Sequence, residues 1–276
     1  MTPSRVDEIR VRSFHLQLPA EVDAMLVKGE PELSCLAVAL SYLFAELEPY
    51  LIRTMRTAAP QVASERLRED MRRFSAQEAQ HARGHARFNK ALNLPHSPPL
   101  AALRAQLGVD YRRFAGERGM PFNLAYAESF EAFTTAMALF LLEIGWIEQV
   151  DPAVRELFEW HLVEELEHRT VAFDAYQALG KGYVFRLKAG AFAQLHFGRF
   201  VFRATRLVHA DQRERLAAEA GAARLARNAR FLRDALLGFW PKLVRTYTPW
   251  YTPRALKIPE RVRLRGEYYA ACESVT

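Results

Sequence analysis

Two Glu-x-x-His pairs, Glu78-Ala-Gln-His81 and Glu165-Leu-Glu-His168, constrain this chain more than any other feature. Residues three apart on an α-helix differ by roughly 60° about its axis, so each pair can aim two metal-ligating side chains at one point. One such pair is common on helices and carries little. Two of them, about 87 residues apart and each preceded by a helix with its own candidate glutamate, are hard to obtain by accident. Those preceding helices offer Glu48, set among Phe44, Leu51, Ile52 and Met55, and Glu131, set among Tyr126, Phe130, Phe133 and Met137. A carboxylate on an apolar helix face is costly unless it is paired, protonated or bound to metal. One Glu from each of two helices, with Glu-x-x-His from each of two others, is the ligand set of a dimetal site inside a four-helix bundle.

The apolar periodicity agrees with such a bundle. Residues 32–59, 62–92, 122–148 and 152–180 repeat apolar positions every three or four residues, which predicts four long helices. Pro49 should kink the first or open a turn in it. The connection 93–121 contains Pro95, Pro98, Pro99 and Pro121, leaves room for a short helix around 100–107, and is long enough to cross the bundle. Asp151 and Pro152 read as N-cap and first residue of the fourth helix, which a short loop makes antiparallel to the third. Residues 183–209 and 211–238 read as two more helices, the first rich in Phe and interrupted by Gly190 and Gly198. The stretch 239–276 is aromatic and proline-punctuated, and should wrap across the bundle. The expected fold class is all-α: residues 1–180 as the dimetal bundle and 181–276 as a helical extension packed on it.

Composition narrows the partners. The net charge of +6 divides unevenly: residues 1–180 hold 19 Lys+Arg against 25 Asp+Glu, and 181–276 hold 19 against 7. A basic tail can meet an anionic membrane surface, an acidic protein or nucleic acid. Its arginines are spread along amphipathic helices without a recognition motif, so nucleic acid is not expected, and a solvated face or a peripheral membrane contact is. The first residues carry Arg5, Asp7, Glu8, Arg10 and Arg12 and no apolar run, and no later stretch reaches 18 uncharged apolar residues, which points to a cytoplasmic protein. Cys35 and Cys272 stand in no metal-binding spacing.

Four carboxylates with two or three imidazoles and no thiolate suit a pair of hard to borderline divalent ions, iron first and manganese second. A lone catalytic zinc with three protein ligands would leave several glutamates unexplained. His85 reads as a supporting partner or core residue rather than a ligand. Glu46, Glu128, Glu164 and Glu167 read as surface or supporting carboxylates, with Glu128 and Glu164 able to substitute if the helix phases differ. Tyr42 and Tyr126 are candidate redox neighbours or plain core residues, and His15, His96, His196 and His209 have no site argument.

The run Trp160-His161-x-x-Glu164-Glu165-x-Glu167-His168, followed by Val171-Ala172-Phe173-Asp174-x-Tyr176, resembles the signature of the bacterial family described as predicted metal-dependent hydrolases. The resemblance extends to Phe44–Glu48, Gln77-Glu78-x-x-His81, Glu131-x-Phe133-Thr134 and the aromatic stretch near Phe239–Pro249. Ala45, Leu47 and Ala132 depart from the pattern without removing a ligand. The spacing His161-x-x-x-Glu165-x-x-His168 is also similar to that of the ferritin-like arylamine N-oxygenases, and this likeness implies a ferritin-like bundle with His161 as a third imidazole ligand. A structural His beside Trp160 is the plain alternative.

The expected metal ligands are therefore Glu48, Glu78, His81, Glu131, His161, Glu165 and His168, holding two iron ions. The expected activity is oxidation of a small apolar or aromatic substrate by dioxygen, with an unidentified electron donor. The alternatives are hydrolysis by a dimetal-bound hydroxide, and a non-catalytic iron-binding or membrane-associated role. A homodimer is a further expectation.

Overall fold

The computed structural model describes residues 9–12, 17–92, 98–217 and 221–272, so His15, Pro95 and His96 lie outside the described residues. Among these residues the chain is all-α, with an isolated bridge between Val27 and Val150 as the sole β pairing. The bundle is made of two hairpins. In the first, α1 (Pro31–Ala58) runs into α2 (Glu65–Ala91) through a tight 3-10 turn, and the Ser64 hydroxyl caps α2 by accepting from the Leu67 N–H at 3.2 Å. In the second, α4 (Met120–Glu143) stops at Gly145, whose φ of 72° supplies the left-handed residue that terminates a helix. A 3-10 turn, Trp146–Gln149, leads to α5 (Pro152–Glu167), where the Asp151 carboxylate accepts from the Ala153 N–H at 2.8 Å with Pro152 at the first position, as the sequence predicts. The crossover is occupied by α3 (Pro98–Glu117), a helix packed on α1 and longer than the short one expected around 100–107. Its two leading prolines sit in the first turn, where their missing N–H groups have no partner to lose.

Two expectations about helix ends are corrected. The fourth helix does not run to 180: α5 ends at Glu167, and α6 (Val171–Leu179) restarts after a turn. The Arg169 guanidinium donates to the Leu166 carbonyl, the group that the Thr170 N–H would need for the helix to continue. His168 therefore sits at the C-cap, with φ −98° and ψ 9°. Pro49 opens no turn, and α1 continues through it to Ala58. The most apolar 18-residue window of this segment has a mean hydropathy of 1.5, enough to cross a membrane by composition, yet 67% of that window is buried by the rest of the protein. It is the central helix of the bundle, with Tyr42, Leu43, Leu47, Leu51 and Met55 shielded from solvent.

Beyond the bundle, α7 (Tyr183–Asp211) lies across α1, α3 and α4. Within the expected helix over 211–238 the described residues form α8 (Arg213–Ala217), α9 (Gly221–Asp234) and a π-helical turn, Ala235–Phe239, that leads into α10 (Trp240–Thr246). At Gly238 a Cβ would meet the Phe140 ring at 2.9 Å, so this turn comes closer to α4 than any side chain would allow. The aromatic segment does run over the bundle: Tyr183 donates to the Tyr247 carbonyl at 2.5 Å, and Tyr251 packs edge-on to Phe173. It ends in α11 (Glu260–Cys272), which packs on α4 and α5 and was not legible in the sequence.

One buried ion pair joins α7 to α4. Arg186 donates to Glu128 at 2.7 Å and to the Thr246 carbonyl at 3.1 Å, and both side chains are buried. Burial pushes the Glu128 carboxyl up to about 6, against the pull of Arg186. Removing one partner strands the other in a dry environment, so Arg186→Met should destabilise the fold by about 3–5 kcal/mol. Denaturant unfolding of the variant checks this, and Glu128→Gln added to it should recover part of the loss.

Candidate metal centre

The four bundle helices each bring an acid to one buried point. Glu48 comes from α1, Glu78 and His81 from α2, Glu131 from α4, and His161, Glu165 and His168 from α5 and its cap; all seven are buried. Glu78, His81, Glu165 and His168 each offer a ligand atom within 4.8 Å of the others, and Glu48, His85 and His161 form a second such group. Glu131 belongs to neither group but its Oε2 lies 2.9 Å from His168 Nδ1. The His168 Nε2 is 3.2 Å from Glu78, the His81 Nδ1 3.5 Å from Glu78, and the His161 Nε2 2.9 Å from Glu165 and 3.9 Å from Glu48.

Whether these residues fit a cation is decided by the atoms left over. Both oxygens of Glu48, Oε1 of Glu78, Oε1 of Glu131, Nδ1 of His81 and Nε2 of His168 are buried and have no hydrogen-bond partner. A buried polar atom without a partner is costly, and these six, all oxygen or imidazole nitrogen, form a donor set for hard to borderline metal ions. The electrostatics point the same way. Burial and the adjacent Glu78 drive the Glu48 carboxyl well above its ordinary range. Burial and Glu165 lift Glu131 to about 8. His168 rises to about 9, because Glu131 and Glu165 outweigh the effect of burial, while Glu165, drawn down by His168 and His161 against its burial, falls to about 2. Without a cation the cluster must hold protons to relieve its own repulsion.

Outer partners orient the imidazoles. The His81 Nε2 donates to Glu164 at 3.0 Å, and Glu164 is itself held by Arg12 at 2.9 Å. The His81 Nδ1 points the other way, toward Glu78 at 3.5 Å, and against the effect of burial Glu164 and Glu78 raise the ring well above its ordinary value; a cation would take the place of the Nδ1 proton while Glu164 holds the ring, the carboxylate–histidine arrangement of metal sites. Arg12 also grips Glu167, which accepts from Gln77 at 2.9 Å. Glu164 and Glu167 are thus buried supports rather than surface residues.

His161 is oriented by a longer chain. The Asn89 amide donates to the Ser41 carbonyl at 3.0 Å, so its oxygen must accept from the Ser41 hydroxyl at 2.9 Å. That hydroxyl then accepts from His85 Nδ1 at 2.8 Å, and the His85 Nε2 accepts from His161 Nδ1 at 2.6 Å. Burial and His161 hold His85 well below its ordinary range, and burial and His81 lower His161, so both rings are neutral and carry one N–H each. The His161 Nε2 lies 2.9 Å from Glu165, a contact that draws the Glu165 carboxyl down and that a bound cation would replace. His85 stands within ligand distance of this group, but both its nitrogens are engaged in the chain, which agrees with its reading as a support.

Other expectations find plain structural places. Glu46 lies 3.5 Å from Arg104 at the surface. Tyr126 bonds His196 at 2.9 Å and Tyr111 at 3.2 Å, and Tyr42 packs under Arg104, so neither phenol is committed to the centre. His209 lies beside Arg224. Sequence reasoning missed Arg12, Ser41, Asn89 and Thr134, the last donating to Glu165 at 2.5 Å. Helix phase was a signal only for Ser41, two turns from Glu48 on α1, and Asn89, two turns from His81 on α2, and it names no partner on another helix; Arg12 lies on no helix.

Beside the centre lies a cavity of about 720 Å³. His85, His161, Glu165 and Thr134 are among its polar lining residues, and Phe44, Phe130 and Phe197 are among its apolar ones.

An all-α bundle with two buried Glu/His groups, beside an apolar cavity, defines a metal-binding protein of the helical-bundle class. Residues 10–256 match the model of the family described as "Predicted metal-dependent hydrolase", and the chain belongs to that family. No curated protein and no solved structure matches it.

Loading a cation must displace the protons that Glu131 and His168 hold up to about 8 and about 9. Metal affinity of the empty protein should therefore climb as pH rises through this range, with net proton release. Competition against a chromogenic chelator at several pH values, with calorimetry in buffers of different ionisation enthalpy, checks both; a flat affinity would show that these groups do not bind the metal.

Proposed function

We propose that the centre holds two iron ions in a ferritin-like bundle and that the protein is an oxidase or oxygenase acting on an apolar substrate with dioxygen. The observation that carries this reading is the set of unpartnered oxygen and nitrogen atoms brought together from four helices, next to an apolar cavity that their neighbours His161 and Glu165 line. Glu48 and Glu131 would serve as terminal or bridging carboxylates, Glu78 and Glu165 as bridges, and His81, His161 and His168 as terminal nitrogen ligands. When bound, a pair of redox-active ions supplies electrons to dioxygen, and an external donor, not yet identified, must replace them. Manganese fits the same donors.

The chain's own residues account for the rest. The outer supports, Arg12–Glu164 and Asn89–Ser41–His85, hold His81 and His161 in one tautomer, so little rearrangement is needed when charge changes at the centre. The aromatic wall excludes water from the place where substrate would lie.

Metal-dependent hydrolysis is the second reading, and the family's description favours it. Among the cavity's lining residues no serine or cysteine stands beside a histidine as a nucleophile, so the metal would have to activate the attacking water.

The two readings separate in one experiment. Anaerobic protein loaded with ferrous iron is mixed with dioxygen, and oxygen uptake is followed by electrode beside a zinc-loaded control. Rapid uptake linked to iron, abolished by Glu78→Ala and absent with zinc, is the expected result. Ester or amide cleavage by the zinc form without oxygen, with no uptake by the iron form, would replace the oxygenase reading with the hydrolytic one.

A further inference from the structure

The cavity beside the centre is a slot rather than a bowl. Its wall on α1 runs from Glu32 to Phe44 and its wall on α7 from Ala193 to Thr205. At about 1.5 Å per helical residue, each wall is on the order of 18 Å long. An extended chain advances roughly 1.2 Å per bond, so a slot of this length fits an acyl chain of on the order of 15 carbons. The polar lining at the Phe44 end comes from His161 and Glu165, the same residues that face the centre.

The outer wall of the slot is made by α9 and the π-helical turn, through Asn228, Phe231, Leu232, Ala235 and Phe239. None of the described residues of α9 is buried, so it covers the slot without being locked into the core. Its outward side is unusual for a soluble surface. Leu225, Leu236, Leu237 and Val244 are each at least 60% exposed, and Leu232 and Trp240, at the rim of the slot, are 61% and 49% exposed. A run of large apolar side chains this long marks an interaction site. Arg230, Arg233 and Arg245 stand exposed among them, in a part of the chain holding 19 Lys+Arg against 7 Asp+Glu. Leucine and tryptophan interleaved with arginine is the composition of a helix that lies in a lipid interface, apolar side chains among the acyl groups and guanidinium groups against the phosphates.

We propose that α9, the π-helical turn and α10 rest on an anionic membrane, and that a long-chain acyl group enters the slot from it and extends toward the Glu/His centre. The substrate class is thus a membrane-derived fatty acyl chain. This rests on the reading of the centre as the reacting end, but the occupant is set by the slot and the surface, whichever chemistry the metal performs.

The full-length protein is tested by binding alone, so that failure of the oxygen chemistry is read separately. Flotation with phosphatidylcholine vesicles should leave it in solution. Vesicles containing phosphatidylglycerol should carry it up, and about 0.5 M salt should release it. Leu236→Asp with Leu237→Asp, both surface changes, should weaken vesicle binding by at least tenfold, roughly what losing two inserted leucines costs. The slot is probed with the fluorescent fatty acid cis-parinaric acid, which the protein should bind and palmitate should displace. Gly198 lines the slot and a Cβ there meets nothing within 4 Å, so Gly198→Trp should abolish fatty-acid binding while vesicle binding remains. Equal binding to neutral vesicles, or none to either kind, would overturn the membrane surface. So would a dimer that the Leu236/Leu237 variant splits, since the patch would then be a subunit interface. Fatty-acid binding unchanged in Gly198→Trp, or absent from the parent protein, would overturn the slot.

Discussion

Four carboxylates packed into the middle of a helical bundle are the constraint on which the rest of this structure depends. Glu48, Glu78, Glu131 and Glu165 are each almost wholly removed from water, and like charges at such separations cannot all ionise without compensation. The His81 and His168 imidazoles, both raised above their ordinary values by the surrounding carboxylates, supply part of it. The remainder must come from protons or from metal, and the unsatisfied oxygens on Glu48, Glu78 and Glu131 face the place where a cation would sit. A core built this way gives up stability in the empty state and regains it on loading.

The layers around the centre follow from that problem. Each imidazole needs its outer nitrogen fixed, and each fixing group needs a partner of its own. This is why buried polar residues extend outward in chains, from His81 through Glu164 to Arg12 and from His161 through His85 and Ser41 to Asn89, instead of ending at the first neighbour. On the opposite side the wall is apolar, so the centre faces a polar scaffold one way and a dry slot the other.

The core of this arrangement was legible in the sequence because it is local. Glu78 with His81, and Glu165 with His168, are fixed by helix geometry alone, and the structure brings both pairs into one group. Glu48 and Glu131 could be found only as acids stranded on apolar faces, and pairing them with the other helices needed the bundle. Supporting residues were harder. Arg12 precedes any predicted helix and Asn89 reads as an ordinary polar helix residue, and neither has a local pattern that betrays a partner dozens of residues away. The helix break after His168 escaped the periodicity because the apolar repeat continues into α6, while the cause is one side chain, Arg169, taking a backbone carbonyl. The π-helical turn after α9 was hidden for a similar reason: amphipathic spacing persists across it.

The grip of Arg12 on Glu164 and Glu167 also bears on how the molecule is assembled. The two partners of the Arg12–Glu164 bond are 152 residues apart, and a chain synthesised from its N-terminus exposes the arginine long before α5 exists. Until then the guanidinium has no native carboxylate to meet, and His81 has no acceptor for its outer nitrogen. The bundle's first hairpin can form early, from contacts close in sequence, but its histidine stays unanchored until the second hairpin arrives. Closure of the N-terminal segment over the end of α5 is therefore a late event, and it signals that all four ligand-bearing helices are in place.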